Sequence, residues 1–165
     1  MRFGMHVAGF IVAPLLSACM TVSPTVGSHA APQSISYETG PCFGACPVYK
    51  VTVGMDGEGI FEGQRFTTVS GERRFVVTPA QYRAFANHLA PLRPASGSVR
   101  LDSQPACARM ATDLPSASVT WRSGGEEQAL YYYFGCDMEA RKEMAERLRA
   151  APALLPIKGF IRAES

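Results

Sequence analysis

The sequence predicts an α+β domain with a mainly antiparallel β-sheet and two helices packed on one face. Two kinds of observation support this fold. Short runs of β-forming residues are separated by turn residues, and two helical segments follow at Thr78–Leu89 and Met138–Arg149. The resulting order is a run of strands and a helix, then two strands and a helix, which favours an antiparallel sheet over alternating β-α units.

The strands before the first helix are predicted from alternation and composition. Asp56-Gly57 is a strong hairpin signal between two such runs. In the run before it, Tyr49, Val51 and Val53 share one face and are expected to point into the core. The predicted strands are Ser34–Thr39, Val48–Val53, Gly59–Glu62, Phe66–Val69 and Arg73–Val77.

Both helices are predicted from end signals and apolar spacing. The first begins with Thr78 as the cap, Pro79 in the first turn and Gln81 completing a capping box, and it ends before Pro91. The second is predicted over Met138–Arg149. Its expected N-cap and buried stripe are Asp137 and Ala140, Met144 and Leu148.

A long loop and a hairpin separate the two helices. Pro91–Ser116 is rich in Pro, Ser and Gly and is predicted as a loop held by Cys107. Gly124-Gly125 then joins two strands in a second hairpin. The hairpin strands are Ser118–Arg122 and Gln128–Phe134, and the tail Leu154–Ile161 is expected to pack back onto the domain.

The first 18 residues are predicted to be an export signal of the lipoprotein type. Arg2 precedes the apolar run Val7–Leu16, which is too short to span a bilayer, and Leu16–Cys19 resembles a lipobox. Cys19 is therefore the expected site of lipidation, palmitate included. The predicted organisation is a signal peptide over 1–18, a flexible tether over 19–33 and one domain over 34–162.

These features predict an exported protein held in the cell envelope by its lipid. Met20, rather than an aspartate, follows Cys19, which indicates the periplasmic face of the outer membrane. No second apolar run approaches membrane-spanning length, so membrane association is expected to depend on the lipid alone. The alternative is cleavage by an ordinary signal peptidase at Ser28–Ala30.

Charge and motif content exclude several classes of function. The 16 Lys+Arg and 14 Asp+Glu give a formal net charge of +2, without the basic stripe of a nucleic-acid-binding protein. No nucleophile elbow surrounds any serine. We therefore predict no nucleic-acid partner, no catalytic residues and no cofactor.

The cysteine count fits an oxidising compartment. Five cysteines are present, and lipidation of Cys19 leaves an even set of four. These disulfide candidates are Cys42, Cys46, Cys107 and Cys136. Four cysteines allow three pairings, and the sequence alone does not choose between them.

The stretch PCFGACPVYK contains two of these cysteines close together. Pro41, Gly44 and Pro47 favour a turn, and a turn brings Cys42 and Cys46 to a Cα separation of about 6 Å, within disulfide reach. The leading interpretation is therefore a disulfide that staples the entry to the next strand. A bridge between the other two cysteines would tie the long loop to the last helix.

Two other interpretations of Cys42 and Cys46 stay open. A thiol-redox pair normally sits at a helix N-terminus, whereas a strand is predicted here. A metal site would use the two thiolates with His88, because soft thiolates suit Cu(I), and CxxxC followed by Pro resembles the motif of the Sco copper-assembly proteins. The β-α-β order of that fold is not predicted.

Exposed aromatic residues are the strongest indication of a partner. Phe43 lies at the tip of the cysteine turn, and two rings of the run Tyr131, Tyr132, Tyr133 and Phe134 must face away from the core of a strand. The three tyrosines and Phe43 are therefore predicted as a partner surface for another envelope protein. In the alternative, helix and tail cover both faces of that strand.

The stretch Pro41–Tyr49, followed by a hairpin and by Thr112–Pro115 before another strand, resembles the bacterial family of domain of unknown function 6438. The resemblance covers about Ser34–Ala150. It implies a small exported protein or lipoprotein, and it brings no catalytic residues. We therefore expect a non-catalytic binding or assembly module, with an envelope metal-binding or thiol-redox protein as the alternative.

Overall fold

A computed structural model describes Met1 and residues 31–161, which form a seven-stranded sheet and two α-helices. The strands are β1 Ser34–Thr39, β2 Val48–Gly54, β3 Glu58–Arg65, β4 Gly71–Val76, β5 Ser98–Leu101, β6 Ser116–Ser123 and β7 Glu126–Tyr133. The helices are α1 Pro79–Leu89 and α2 Lys142–Ala150. The predicted signal peptide, lipidation site Cys19, alternative cleavage site, most of the tether and Arg162 lie outside the described residues.

The sheet order is β4-β3-β2-β1-β6-β7-β5. Every neighbouring pair is antiparallel except β5 and β7, which run parallel. Tight turns join β2 to β3 and β6 to β7, a five-residue connection joins β3 to β4, and the connection through α1 carries the chain from one edge of the sheet to the other. The predicted α+β fold with a mainly antiparallel sheet is confirmed.

One face of the sheet packs against both helices. Tyr37 stands at the centre, opposite Val51 on one side and Val119 on the other, and its hydroxyl donates to the Leu148 carbonyl of α2 at 3.0 Å. Phe85 and Leu89 of α1 join the same buried cluster. The opposite face is polar. Within the described chain, neither helix is long and apolar enough to cross a membrane.

The predictions for the core face of β2 and for the start of α1 are confirmed. Tyr49, Val51 and Val53 are all buried on one face of β2. The Thr78 hydroxyl accepts a hydrogen bond from the Gln81 amide at 3.2 Å, and the Thr78 amide donates to the Gln81 side chain at 2.9 Å. This capping box satisfies two amides at the helix start that would otherwise lack partners.

The predicted strand Phe66–Val69 is wrong. Phe66 has a φ of 55°, which ends β3, and the chain folds back over Gly63. A Cβ at Gly63 would lie 1.8 Å from the Val69 carbonyl oxygen, so the close approach requires glycine. The Val69 amide instead donates to the Phe160 carbonyl at 3.1 Å. Backbone pairing with the C-terminal tail replaces the expected strand.

The long loop before Ser116 contains a strand that the sequence did not indicate. β5 has four residues and pairs in parallel with β7, with Ser98 opposite Ala129 and Leu101 opposite Tyr132. Such a short run carries too little alternation to stand out among Pro, Ser and Gly. Its partner lies far along the chain, so only the folded sheet identifies it.

The predicted start of the second helix is also wrong. α2 begins at Lys142 rather than Met138, and Ala140 is exposed, whereas Ala145 is buried beside Leu148. Asp137 is not the N-cap, because its φ is 43° and its carboxylate accepts hydrogen bonds from the amides of a different segment. Tertiary hydrogen bonds thus replaced the expected local cap.

The C-terminal tail packs onto the domain, as predicted. Leu155 and Ile157 are buried. The Phe160 ring lies 5.5 Å from the Phe61 ring and 5.9 Å from the Phe75 ring, which are on β3 and β4. This aromatic contact closes the core beside the β4 edge of the sheet.

Candidate functional site

A disulfide closes the loop between β1 and β2, which we call the CFGAC loop (Cys42–Cys46). The two cysteine Cα atoms lie 5.8 Å apart, as expected for a turn. Gly44 has a φ of 143°, a value that favours glycine. The Phe43 side chain is 87% exposed at the tip of the loop. The sequence-predicted turn therefore presents its aromatic ring to solvent.

The CFGAC loop lies against the segment Thr112–Pro115. The Phe43 amide donates to the Asp113 carbonyl at 3.2 Å, and the Gly40 amide donates to the Ser116 carbonyl at 2.9 Å. Asp113 has a φ of 69°, in the left-handed region that Asp adopts in turns. The two stretches that carried the family resemblance, far apart in sequence, are thus neighbours in the fold.

A cavity of about 420 Å³, here called the tyrosine pocket, extends from these two stretches to the end of α2. Its size is within the range of small-molecule sites. Cys46, Pro47 and Tyr49 line it from the first stretch, and Pro115 lines it from the second. The remaining lining residues are Tyr37, Thr39, Ser116, Phe134, Arg149, Pro152 and Ile161.

The tyrosine pocket combines aromatic rings with one positive charge. Among the described residues that line it, Arg149 is the only charged one, and its guanidinium lies 4.4 Å from the centre of the Phe134 ring. Burial raises the pKa of the Tyr37 and Tyr49 hydroxyls far above the ordinary value, with Arg149 opposing the rise at Tyr37. Both hydroxyls therefore remain protonated donors at neutral pH.

The second disulfide joins Cys107 to Cys136, and both residues are fully buried. Asp137 reinforces this junction, because its carboxylate accepts hydrogen bonds from the Ala108 amide at 3.0 Å and the Arg109 amide at 2.7 Å. The Arg109 bond and then the Ala108 bond lower the pKa of the Asp137 carboxyl. The long loop is thus held to the start of the last helical region, as the sequence suggested for this pairing.

The predicted tyrosine surface is divided between the two faces of the sheet. Tyr131 lies on the polar face beneath the Arg100 guanidinium, 4.0 Å from its ring centre. Tyr133 is also half-buried there, and its hydroxyl accepts from the Leu114 amide at 3.3 Å. The prediction that Tyr132 belongs to an exposed surface is wrong. Tyr132 is fully buried in the core, and its hydroxyl donates to the Cys136 carbonyl at 3.0 Å.

The residues of the alternative metal site are not brought together. The Nε2 atom of His88 lies 2.8 Å from the Arg147 carbonyl oxygen, in the contact between α1 and α2. Over residues 31–161, no group of three His, Cys, Asp or Glu side chains is close enough to hold a metal ion. Cys42 and Cys46 are followed by the strand β2, and not by the helix N-terminus that is typical of a thiol-redox pair.

Sequence reasoning did not identify the pocket residues as a set. Arg149 was predicted only as the end of the second helix, Tyr49 as part of the core face of a strand, and Ser116 as the end of a loop. Their proximity depends on the packing of α2 against the ends of β1, β2 and β6. No local sequence signal carries that information.

A protein-family model described as "Domain of unknown function (DUF6438)" matches residues 33–152. The matched range contains all seven strands and both helices. It also contains the CFGAC loop and most of the tyrosine pocket. A search of curated proteins gave no match to the chain.

Proposed function

The chain belongs to the DUF6438 family, whose description names no activity, and we therefore propose its role from its own residues: a non-catalytic binding module of the cell envelope. In this proposal Cys19 carries the lipid anchor, and the folded domain binds another envelope protein through the CFGAC loop. The lipobox and the even number of remaining cysteines support export. Two disulfides suit the oxidising compartment that export would provide.

The exposed Phe43 ring is the observation that carries this proposal. An aromatic side chain that is 87% exposed gains most when a partner removes it from water. Its backbone is already held by the disulfide and by the hydrogen bond to Asp113, so binding would order little additional chain. A fixed loop with an apolar tip has the character of an interface anchor.

Site-specific photo-crosslinking in the native cell envelope tests the docking role. A photoreactive phenylalanine at position 43 should give one adduct of defined mass. The same residue at Met55, which is 58% exposed in the β2–β3 turn, serves as the matched control. We expect the position-43 adduct to disappear when Cys42 and Cys46 are both replaced by Ser. Equal adducts at both positions, or none at position 43, would contradict the proposal.

Lipid anchoring is tested by a separate variant. Cys19→Ser should move the protein from the outer-membrane fraction to the soluble periplasmic fraction, because the lipid is its proposed attachment. Ser17→Thr is a control that leaves the cysteine in place. Cys19→Ser protein that incorporates labelled palmitate to the same extent as the parent would exclude this anchor.

A thiol-redox or metal function is the second proposal, and accessibility of the CFGAC cysteines favours it. Cys42 and Cys46 are only half-buried, unlike the fully buried second pair. This function requires the bond to be reduced by a glutathione buffer, or the reduced thiols to bind Cu(I) or Zn(II) stoichiometrically. Mass spectrometry after thiol alkylation measures the reduction, and native mass spectrometry without alkylation measures the metal uptake. A bond that resists the buffer, with no metal uptake by the forcibly reduced protein, would exclude this alternative.

A further inference from the structure

Three hydrogen-bond donors line the tyrosine pocket without a hydrogen-bond partner. The Tyr49 hydroxyl, the Ser116 hydroxyl and the Arg149 guanidinium all belong to lining residues, and none forms a hydrogen bond with another described residue. The Tyr37 hydroxyl differs, because it donates to the Leu148 carbonyl. Tyr49 and Ser116 are largely buried residues and Arg149 is exposed, so the three donors are open to an acceptor that enters the pocket.

These donors remain in contact with solvent. Among the described side chains, the polar atoms that are both enclosed and without a hydrogen-bond partner are Trp121 Nε1 and Arg141 Nε. The hydroxyls of Tyr49 and Ser116 are therefore open to the pocket, although both residues are more than nine-tenths buried. A bound molecule would reach them without any change in the core.

The charge of Arg149 is also uncompensated within residues 31–161. Two other arginines of the same helical region form ion pairs, Arg141 with Asp137 at 3.9 Å and Arg147 with Glu143 at 3.3 Å. Arg149 forms none, and no carboxylate lines the tyrosine pocket. Glu139 and Glu146 line another cavity that Arg149 also borders, and neither forms an ion pair with Arg149. The pocket therefore favours a negatively charged ligand.

We propose that the tyrosine pocket binds a small organic carboxylate with a flat apolar body. Arg149 holds the carboxylate, and the hydroxyls of Tyr49 and Ser116 donate to it. The rings of Tyr37, Tyr49 and Phe134, with the nearby prolines, pack against the apolar part. A single arginine and two neutral hydroxyls match one negative charge, which favours a carboxylate over a phosphate dianion. This site goes beyond the protein partner proposed for Phe43.

Benzoate is a suitable probe, because it joins a carboxylate to a flat ring of the right size. Its neutral isostere benzamide is the matched control ligand. With the full chain in detergent, calorimetry should show saturable one-to-one binding of benzoate, and benzamide should bind at least about tenfold more weakly, because it lacks the charge. Equal binding of the two ligands, no binding of benzoate, or tighter binding of methyl phosphate would overturn the proposal.

Variants locate the site. Arg149→Gln should weaken benzoate binding at least about tenfold, whereas Arg83→Gln removes an exposed charge from α1 and should change nothing. Tyr49→Phe should weaken binding about two- to tenfold by removing one hydroxyl. Far-ultraviolet circular dichroism confirms that each variant is folded. In addition, amide shifts on adding benzoate should be largest at residues 116, 134 and 149, and a different location would overturn the assignment.

The binding of benzoate and the docking of Phe43 can fail independently. Phe43→Ser should leave benzoate affinity within about twofold, because Phe43 does not line the tyrosine pocket. A loss of benzoate binding in folded Phe43→Ser protein would contradict the separation of the two sites. Arg149→Gln should in turn keep the position-43 adduct, and loss of that adduct would also show that the two sites are one.

Discussion

The two disulfide-bonded regions hold very different parts of the molecule. Cys107 and Cys136 are 29 residues apart in sequence and fully buried, and their bond joins the long loop to the segment that precedes α2. Cys42 and Cys46 are only four residues apart and half-buried, and their bond closes a turn at the surface. One bond connects distant elements, and the other fixes the shape of a single loop.

Neighbouring hydrogen bonds sharpen this difference. Around Cys136, the Asp137 carboxylate holds the amides of Ala108 and Arg109, and Arg141 donates to the Ala106 carbonyl at 2.9 Å. The CFGAC loop has the Phe43–Asp113 hydrogen bond and leaves its aromatic tip in solvent. The buried region is organised for stability, whereas the surface loop is organised to present a side chain.

The largest expected effect comes from removing the buried bond. Replacing both Cys107 and Cys136 by Ala should lower the free energy of unfolding by about 3–4 kcal/mol, because the bond closes a loop of about 30 residues in the unfolded chain. Urea denaturation measures this change. A loss below about 1 kcal/mol would remove the proposed contrast between the two bonds.

Removing the surface bond should have a smaller effect. The Cys42–Cys46 bond closes a loop of only a few residues. Replacing both cysteines by Ala should therefore lower the free energy of unfolding by about 2 kcal/mol. The same urea measurement applies, with the parent chain as reference. A loss equal to that of the Cys107 and Cys136 variant would mean that the surface loop also supports the core.

The contribution of Asp137 should depend on pH. Its pKa is lower in the folded state, so its stabilisation is fully present above the unfolded value of about 4 and is lost as pH falls through the folded pKa. Asp137→Asn should therefore be less stable than the parent at pH 6, and the difference should shrink by pH 2.5. Urea denaturation at both values tests this.

Glu126→Gln, at an exposed hairpin tip, is the control for removing an acidic charge. The effect of Asp137→Asn should be smaller than that of removing either disulfide, because solvent screens this carboxylate. A difference from the parent that stays constant between pH 6 and pH 2.5 would show that the Asp137 charge does not stabilise the buried junction.

The smallest expected effect on stability is at Phe43. Because the ring is 87% exposed, Phe43→Ser should change the free energy of unfolding by less than about 0.5 kcal/mol. Phe61→Ser, at a fully buried ring of β3, is the contrasting variant and should be severely destabilising. A large loss at Phe43 would assign the ring to folding rather than to display.

Much of the fold was predictable because its signals are local. β1 begins and ends where alternation indicated, and the capping box at Thr78 marks the start of α1. Predictions failed where tertiary contacts compete with local preference. The segment Phe66–Val69 forms a backbone hydrogen bond with the C-terminal tail instead of a strand. The Asp137 carboxylate accepts hydrogen bonds from the distant Cys107 loop instead of capping the helix that follows it.

The site was predictable only in part. The cysteine turn and the exposure of Phe43 followed from prolines and a glycine around two close cysteines. Tyr132 was misplaced, because alternation indicates that two rings of the run face outward but does not state which two. Arg149 and Ser116 gave no local signal at all.

The sequence by itself determined what depends on neighbours along the chain: the order of most elements, the hairpin at Asp56-Gly57 and the helix cap at Thr78. It also predicted the CFGAC turn and an even set of four cysteines within the domain. The tertiary structure decided among the three disulfide pairings, placed β5 beside β7 and assembled the tyrosine pocket. The Cys107–Cys136 bond, the β5–β7 pair and the tyrosine pocket join residues distant in sequence, and burial of a shared core brings them together.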